Sequence, residues 1–212
     1  AKGYLALHDK FMANDAVLDS ARFYLNQVDE QAPYWLKNQV HYHFIAKNYR
    51  AIMQLVQSKT PAEITDAWTA YRIGEAFYQS KDFTRALLYY KRATKLNRYN
   101  LEFQEKLGVS YLSLSNLPQA MKTFQFILGE NPKRKMALNN LGYVFDLQGK
   151  FAVAMNHYDR AIALDPDYEQ ALLNKSALLL QEGKKGEARQ FLQRILKINP
   201  ENAKAKQILT TI

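Results

Sequence analysis

Residues 135–168 read KMALNNLGYVFDLQGKFAVAMNHYDRAIALDPDY, and residues 101–134 before them read LEFQEKLGVSYLSLSNLPQAMKTFQFILGENPKR. Laid over one another without a gap, the two stretches place glycine at their eighth column (Gly142, Gly108) and alanine at the twentieth (Ala154, Ala120). Column 24 is aromatic in both (Tyr158, Phe124), and column 32 is proline (Pro166, Pro132). The same 34-residue frame extends outward to residues 67–100 and 169–202. Column 8 then reads Gly74, Gly108, Gly142, Ser176, and column 11 reads Phe77, Tyr111, Phe145, Leu179. Column 20 is Ala86, Ala120, Ala154, Ala188, and column 24 is Tyr90, Phe124, Tyr158, Leu192. Column 27 is Ala93, Ile127, Ala161, Ile195, and column 32 is Arg98, Pro132, Pro166, Pro200.

The columns have a physical reading. Apolar residues recur at three and four positions, as on one helix face (Ile73, Phe77, then Phe83, Leu87, Tyr90). A polar break such as Ser80-Lys81-Asp82, Gln148-Gly149-Lys150 or Glu182-Gly183-Lys184 splits each stretch into a helix A and a helix B. Small residues at columns 8 and 20 let the two backbones approach, and the aromatics fill the space between one stretch and the next. Asn131-Pro132, Asp165-Pro166 and Asn199-Pro200 end helix B, because a residue before proline avoids the helical region. One such hairpin cannot bury its apolar face alone, so the hairpins stack.

This pattern resembles the tetratricopeptide repeat. The resemblance implies an all-α, right-handed α-solenoid of stacked antiparallel helix pairs, with four repeats at 67–100, 101–134, 135–168 and 169–202. Residues 203–212 open a fifth frame with Ile208, Leu209 and Ile212, and are predicted to form a C-terminal capping helix. Residues 1–66 are more divergent. Lys47-Asn48-Tyr49 stands 34 residues before Lys81-Asp82-Phe83, which predicts a helix pair over about 34–58 in the same register. Ala21, Leu25 and Pro33 fit columns 20, 24 and 32 of one more degenerate pair, so 1–66 reads as divergent helix pairs or as a separate helical cap. Thr60-Pro61-Ala62-Glu63 reads as a helix start, with threonine as N-cap and proline first. Lys175 and Lys185 stand at columns that usually hold apolar residues, which predicts a looser last repeat.

Composition agrees with a folded helical chain. Among 212 residues, 48% are hydrophobic, and 6 prolines with 8 glycines are too few for the frequent turns of a strand-rich protein. No apolar run reaches the roughly 20 residues of a membrane span, and no signal peptide is evident, so direct membrane insertion is not expected. The compartment stays open, cytoplasm and periplasm suiting the chain equally. The opening on Ala1 rather than methionine points to a trimmed or processed chain. The net charge of +9 is uneven: residues 1–66 hold 7 Lys/Arg against 7 Asp/Glu, and residues 67–212 hold 22 against 13. The second part attracts anionic surfaces at long range.

Catalytic chemistry is poorly supplied, and the chain is not expected to be an enzyme. With no cysteine, disulfides, thiolate metal sites and thiol nucleophiles are excluded. His41 and His43 are two apart, on different sides of a helix, unlike the i, i+4 pair that holds zinc, and His8 and His157 stand alone. No phosphate-binding glycine loop or nucleophile elbow is present; Gly183-Lys184-Lys185-Gly186 is a turn between helices, and the glycosylation triplet Asn174-Lys175-Ser176 falls inside a helix. Neither metal nor cofactor is expected. Basic clusters at Lys91-Arg92 with Lys95 and Arg98, and at Lys133-Arg134-Lys135, lack free stacking aromatics, so nucleic acid is not expected either.

The resemblance also implies where a partner sits. Columns 2, 5, 6, 9, 12 and 13 of helix A line the inner groove in this family. Carried over, they are Trp68, Tyr71, Arg72, Glu75 and Tyr78, then Glu102, Glu105, Lys106, Val109 and Leu112. The third and fourth repeats supply Met136, Asn139, Asn140, Tyr143 and Asp146, then Gln170, Leu173, Asn174 and Ala177. Column 6 reads Arg72, Lys106, Asn140, Asn174: an asparagine ladder interrupted by two cations. An amide both donates and accepts, so Asn140 and Asn174 suit a peptide backbone, and the cations suit acidic groups beside it. The family's carboxylate clamp for chaperone C-termini is absent, Tyr71 with Glu75 and Asn139 with Tyr143 standing at its positions. The expected function is therefore a scaffold that holds a protein or peptide segment in the inner groove. Two other roles stay open: self-association as a structural module, and service as an accessory domain of a larger membrane-anchored or enzymatic polypeptide.

Overall fold

The breaks between apolar stretches are where the helices end. The computed structural model describes residues 15–32 and 34–212, and His8, Pro33 and the rest of 1–14 lie outside the described residues. Among the described residues there are helices and no strands. Two compact units divide at Leu114 and Ser115.

The first unit holds α1 (Asp15–Leu25), α2 (Trp35–Ile45), α3 (Tyr49–Leu55), α4 (Ala67–Gln79), α5 (Phe83–Leu96) and α6 (Leu101–Ser113). Consecutive helices pack on one another: α2 on α3, α4 on α5, α5 on α6. The helix start expected at Thr60 is a single 3-10 turn, Pro61–Glu63, with Thr60 and Glu63 bonded in a capping box. The chain extends again at Ile64, and Asp66 caps the real helix by accepting from the Thr69 amide at 2.8 Å. Asp66 also meets Lys37 of α2 at 2.7 Å. Burial pushes its carboxyl up, but Lys37 and Thr69 together hold it below the ordinary range.

The second unit holds α7 (Leu117–Glu130), α8 (Lys135–Leu147), α9 (Phe151–Leu164), α10 (Glu169–Gln181), α11 (Lys185–Ile198) and α12 (Ala203–Thr211). Again neighbours pair in order, and α8 also touches α10. Ala205, Ile208, Leu209 and Ile212 of the last segment pack on Leu172, Leu173, Leu192 and Ile195. Lys175, read from sequence as a loosening, is packed instead: its ammonium pairs with Asp159 and lies 4.5 Å from the Phe191 ring centroid. A lysine stem fills the apolar column while its head reaches an anion.

The turn inside each hairpin repeats one backbone device. Lys47, Lys81, Ser115, Gly149 and Gly183 all have positive φ (53°, 62°, 56°, 72° and 76°) and are spaced 34 residues apart. The next amide reaches back to the helix just ended: Asn48 to the His43 carbonyl at 2.8 Å, and Asp82 to Phe77, Lys150 to Phe145 and Lys184 to Leu179 at 2.9 Å. This is the Schellman ending, in which a left-handed residue stops the helix. Lysine and serine bear about 1–2 kcal/mol of strain there that glycine avoids. The residue that follows offsets it. Asn48, Asp82 and Asn116 each accept an amide as N-cap of helix B, whereas Lys150 and Lys184, after the glycines, make no side-chain cap.

The small columns are filled by rings. A Cβ on Gly74 would stand 2.8 and 2.9 Å from Tyr90 Cε1 and Cδ1, and one on Gly142 would meet Tyr158 at the same distances. Thus the column-24 ring lies over the glycine of its own hairpin. Tyr158 also clusters with Ala154 and with Leu178 of the next helix pair. Ala86, Ala120, Ala154 and Ala188 are fully buried.

Candidate functional site

In the first unit the face of α4 assigned to a partner is partly occupied by its own neighbour α6. Tyr71 is 6% exposed and its hydroxyl donates to Glu102 Oε1 at 2.7 Å. Its ring stacks on Phe103, with centroids 5.1 Å apart. Glu75 is 7% exposed, accepts from the Tyr90 hydroxyl, and pairs with Lys106 at 2.9 and 3.0 Å. Burial first, then the adjacent carboxylates, push the Tyr71 and Tyr90 phenols far above their ordinary value, so both stay protonated donors. These contacts correct the sequence reading twice. Tyr71 and Glu75 are not exposed partner contacts, and Lys106 is neutralised within the unit rather than held out for an acidic group. Tyr78 is half-buried, 3.4 Å from the Ser113 hydroxyl. Trp68 remains 40% exposed, its ring edge-on to Tyr71 and Phe103. The Arg72 guanidinium sits 5.8 Å from the Phe44 and Trp68 ring centroids alike.

In the second unit the asparagines form a chain of amides. Gln170 Nε2 donates to Asn174 Oδ1 at 3.0 Å, Asn174 Nδ2 to Asn139 Oδ1 at 2.9 Å, and Asn139 Nδ2 to Asn140 Oδ1 at 3.3 Å. Asn139 is 1% exposed, which removes it from the accessible set and makes it the strut between α8 and α10. What α8 does present is a row at helical spacing: Met136, Asn140, Tyr143 and Leu147. Met136 is 37%, Tyr143 40% and Leu147 51% exposed, and Asn140 is half-buried among them. Leu147 is not among the residues carried over from sequence, although it stands at column 13, one of the groove columns. Asp146, next to this row, is turned toward Tyr158 at 3.5 Å, and burial raises its carboxyl despite that bond. The accessible row therefore carries no charge.

His157 and His43 are packing residues by the same measure. His157 lies flat on Phe145, with centroids 5.4 Å apart, and burial followed by Arg160 lowers its basicity. His43 stands edge-on to Tyr42 and is lowered by burial and Arg22. Among the described residues no group of three or more His, Cys, Asp or Glu could hold a metal.

Tetratricopeptide-repeat profiles match residues 69–100, 105–169 and 147–212. The chain belongs to the tetratricopeptide-repeat family. Among curated relatives, photosystem I assembly protein Ycf3 of Synechococcus sp. (strain WH7803) is 29% identical over 124 residues, covering 56% of this chain and 72% of that protein. The Ycf3 of Synechococcus sp. (strain CC9902) is 30% identical over the same shares. Among solved structures, a thermophilic tetratricopeptide protein of Thermus thermophilus superposes with a TM-score of 0.68 at 18% identity, covering 83% of this chain and 97% of its own. MamA superposes with a TM-score of 0.64 at 18% identity, covering 78% and 96%. At such identities these structures share the helical-repeat solenoid fold. Among the described residues no helix is long and apolar enough to cross a membrane.

Proposed function

We propose that this chain is a protein-interaction scaffold, not a catalyst, and that it holds a segment of a partner protein on the helix-A faces of its repeats. The observation that carries the reading is the uncharged, accessible row Met136, Asn140, Tyr143 and Leu147 on α8. An exposed aromatic between two flexible apolar side chains, with one amide to fix a backbone group, is what a hot spot for a peptide segment needs. Trp68, beside Arg72, offers a second such anchor on α4. Relatives named for photosystem I assembly support a role in which the captured segment belongs to a subunit of a complex being assembled. With Lys106 paired to Glu75, and with no charge in the α8 row, the segment held at α8 is apolar or neutral rather than acidic.

The test is capture from source lysate with the wild-type chain and with Met136→Ala/Tyr143→Ala. The expected outcome is a partner whose recovery falls at least about 10-fold in the variant, as loss of a binding hot spot implies, at an unchanged melting temperature. Equal recovery of the same partner would remove the α8 row from the site.

A further inference from the structure

Helix α5 carries charge of one sign. From Phe83 to Leu101 the chain holds the cations Arg85, Lys91, Arg92, Lys95 and Arg98 and no carboxylate. The inner face of α5 is buried against α4 and α6. Its outward arc, at helical spacing, presents Leu88 and Leu96, which are 46% and 37% exposed, among exposed Arg85, Lys91 and Lys95. Two of the arginines are tethered, Arg85 to Asp82 at the start of the helix and Arg92 to the Ile64 carbonyl at 2.6 Å. Lys91 rests its ammonium 5.5 Å from the Tyr111 ring centroid, and Lys95 is exposed one turn further on.

We propose that this arc docks the chain on an anionic lipid surface, Lys91 and Lys95 meeting headgroups and Leu88 and Leu96 reaching the acyl boundary. Clustered cations near such a surface are attracted by its negative potential. Lysine stems lying level with exposed leucines suit an interface that is charged above and apolar below. The occupant follows from the make-up of the arc. Two cavities among the described residues lie elsewhere, one lined by Arg22, Gln39 and His43, the other by Pro132, Leu138 and Arg160, and no residue of the α5 arc lines either of them. Nor does the arc carry the row of rings on which single-stranded nucleic acid stacks: Tyr89 and Tyr90 are buried inward, and Tyr99, past the end of the helix, is a single exposed ring. This surface is separate from the helix-A faces and does not depend on their role.

The experiment is co-sedimentation of the full chain at low salt. It uses vesicles of pure phosphatidylcholine and vesicles of equal parts phosphatidylcholine and phosphatidylglycerol. The expected result is binding to the anionic vesicles alone, released by high salt. Lys91→Gln/Lys95→Gln should weaken it about 25-fold, two charges each worth about a five-fold factor at the surface. Lys91→Glu/Lys95→Glu should abolish it. Met136→Ala/Tyr143→Ala should bind vesicles as the wild type does. The substituted lysines are exposed, and the glutamine pair serves if charge reversal disturbs folding. No binding to anionic vesicles, binding untouched by the glutamine pair, or a preference for a single-stranded oligonucleotide over the vesicles would each overturn the proposal.

Discussion

Tyr90→Ala is expected to cost about 3–5 kcal/mol, the range for emptying a buried aromatic site, and to lower the urea midpoint accordingly. The ring is fully buried, and it fills the space beside Gly74, which has no side chain to relax into a void. It also packs against the Tyr71 ring, with centroids 6.0 Å apart, and its hydroxyl donates to the buried Glu75. Removing it opens a cavity between α4 and α5 and takes a donor from a carboxylate that keeps only its ion pair with Lys106 among these contacts. Tyr90→Phe separates the two effects. It keeps the ring and leaves one acceptor short, a change worth about 1–3 kcal/mol. Tyr158→Phe should cost less, because that hydroxyl is 3.5 Å from Asp146, at the edge of hydrogen-bonding distance. If the phenylalanine and alanine variants of Tyr90 unfold at the same urea concentration, the ring is not what holds the hairpin.

Ala154→Leu is the converse experiment, adding volume where Tyr90→Ala removes it. Ala154 is fully buried in a cluster with Tyr158 and Leu178, edged by Phe145 and Met155. The added carbons must displace a ring already seated over Gly142, so overpacking should cost about 1–3 kcal/mol. Ala120→Leu should behave alike, since its site is also fully buried. Lys122→Ala, at an exposed position two residues on from Ala120, should change stability by less than about 0.5 kcal/mol. Urea midpoints that move equally for Ala120→Leu and Lys122→Ala would mean that column 20 is not a packing column.

The hairpins were legible in the sequence because their signals are local. The breaks read at Ser80-Lys81-Asp82, Gln148-Gly149-Lys150 and Glu182-Gly183-Lys184 are where helices A end and helices B begin. The left-handed turn was announced by Gly149 and Gly183 alone. Lys47, Lys81 and Ser115 adopt it without any residue preference that would reveal it, and the asparagine or aspartate that follows is the compensating sign.

The face of helix A was legible by position but not by occupancy. Columns placed Tyr71, Glu75 and Asn139 on the partner side, yet each is taken by the next helix A, through Glu102, Lys106 and Asn174. Occupancy depends on chemistry at two columns in different repeats. A donor meets an acceptor at separations of 31 or 35 residues, which a column-by-column reading does not compare. Reading tyrosine against glutamate, glutamate against lysine and asparagine against asparagine across adjacent repeats would have moved these three inward and left Trp68, Met136 and Tyr143 outside.

That remaining set carries the functional account, and hydrogen–deuterium exchange on the chain with its captured partner tests it most directly. Protection on binding should concentrate in α8 and α10, residues 135–147 and 169–181, while the outward arcs of the B helices α9 and α11 exchange as before. Protection confined to the B helices, with α8 and α10 unchanged, would contradict the assignment of the partner segment to the helix-A faces.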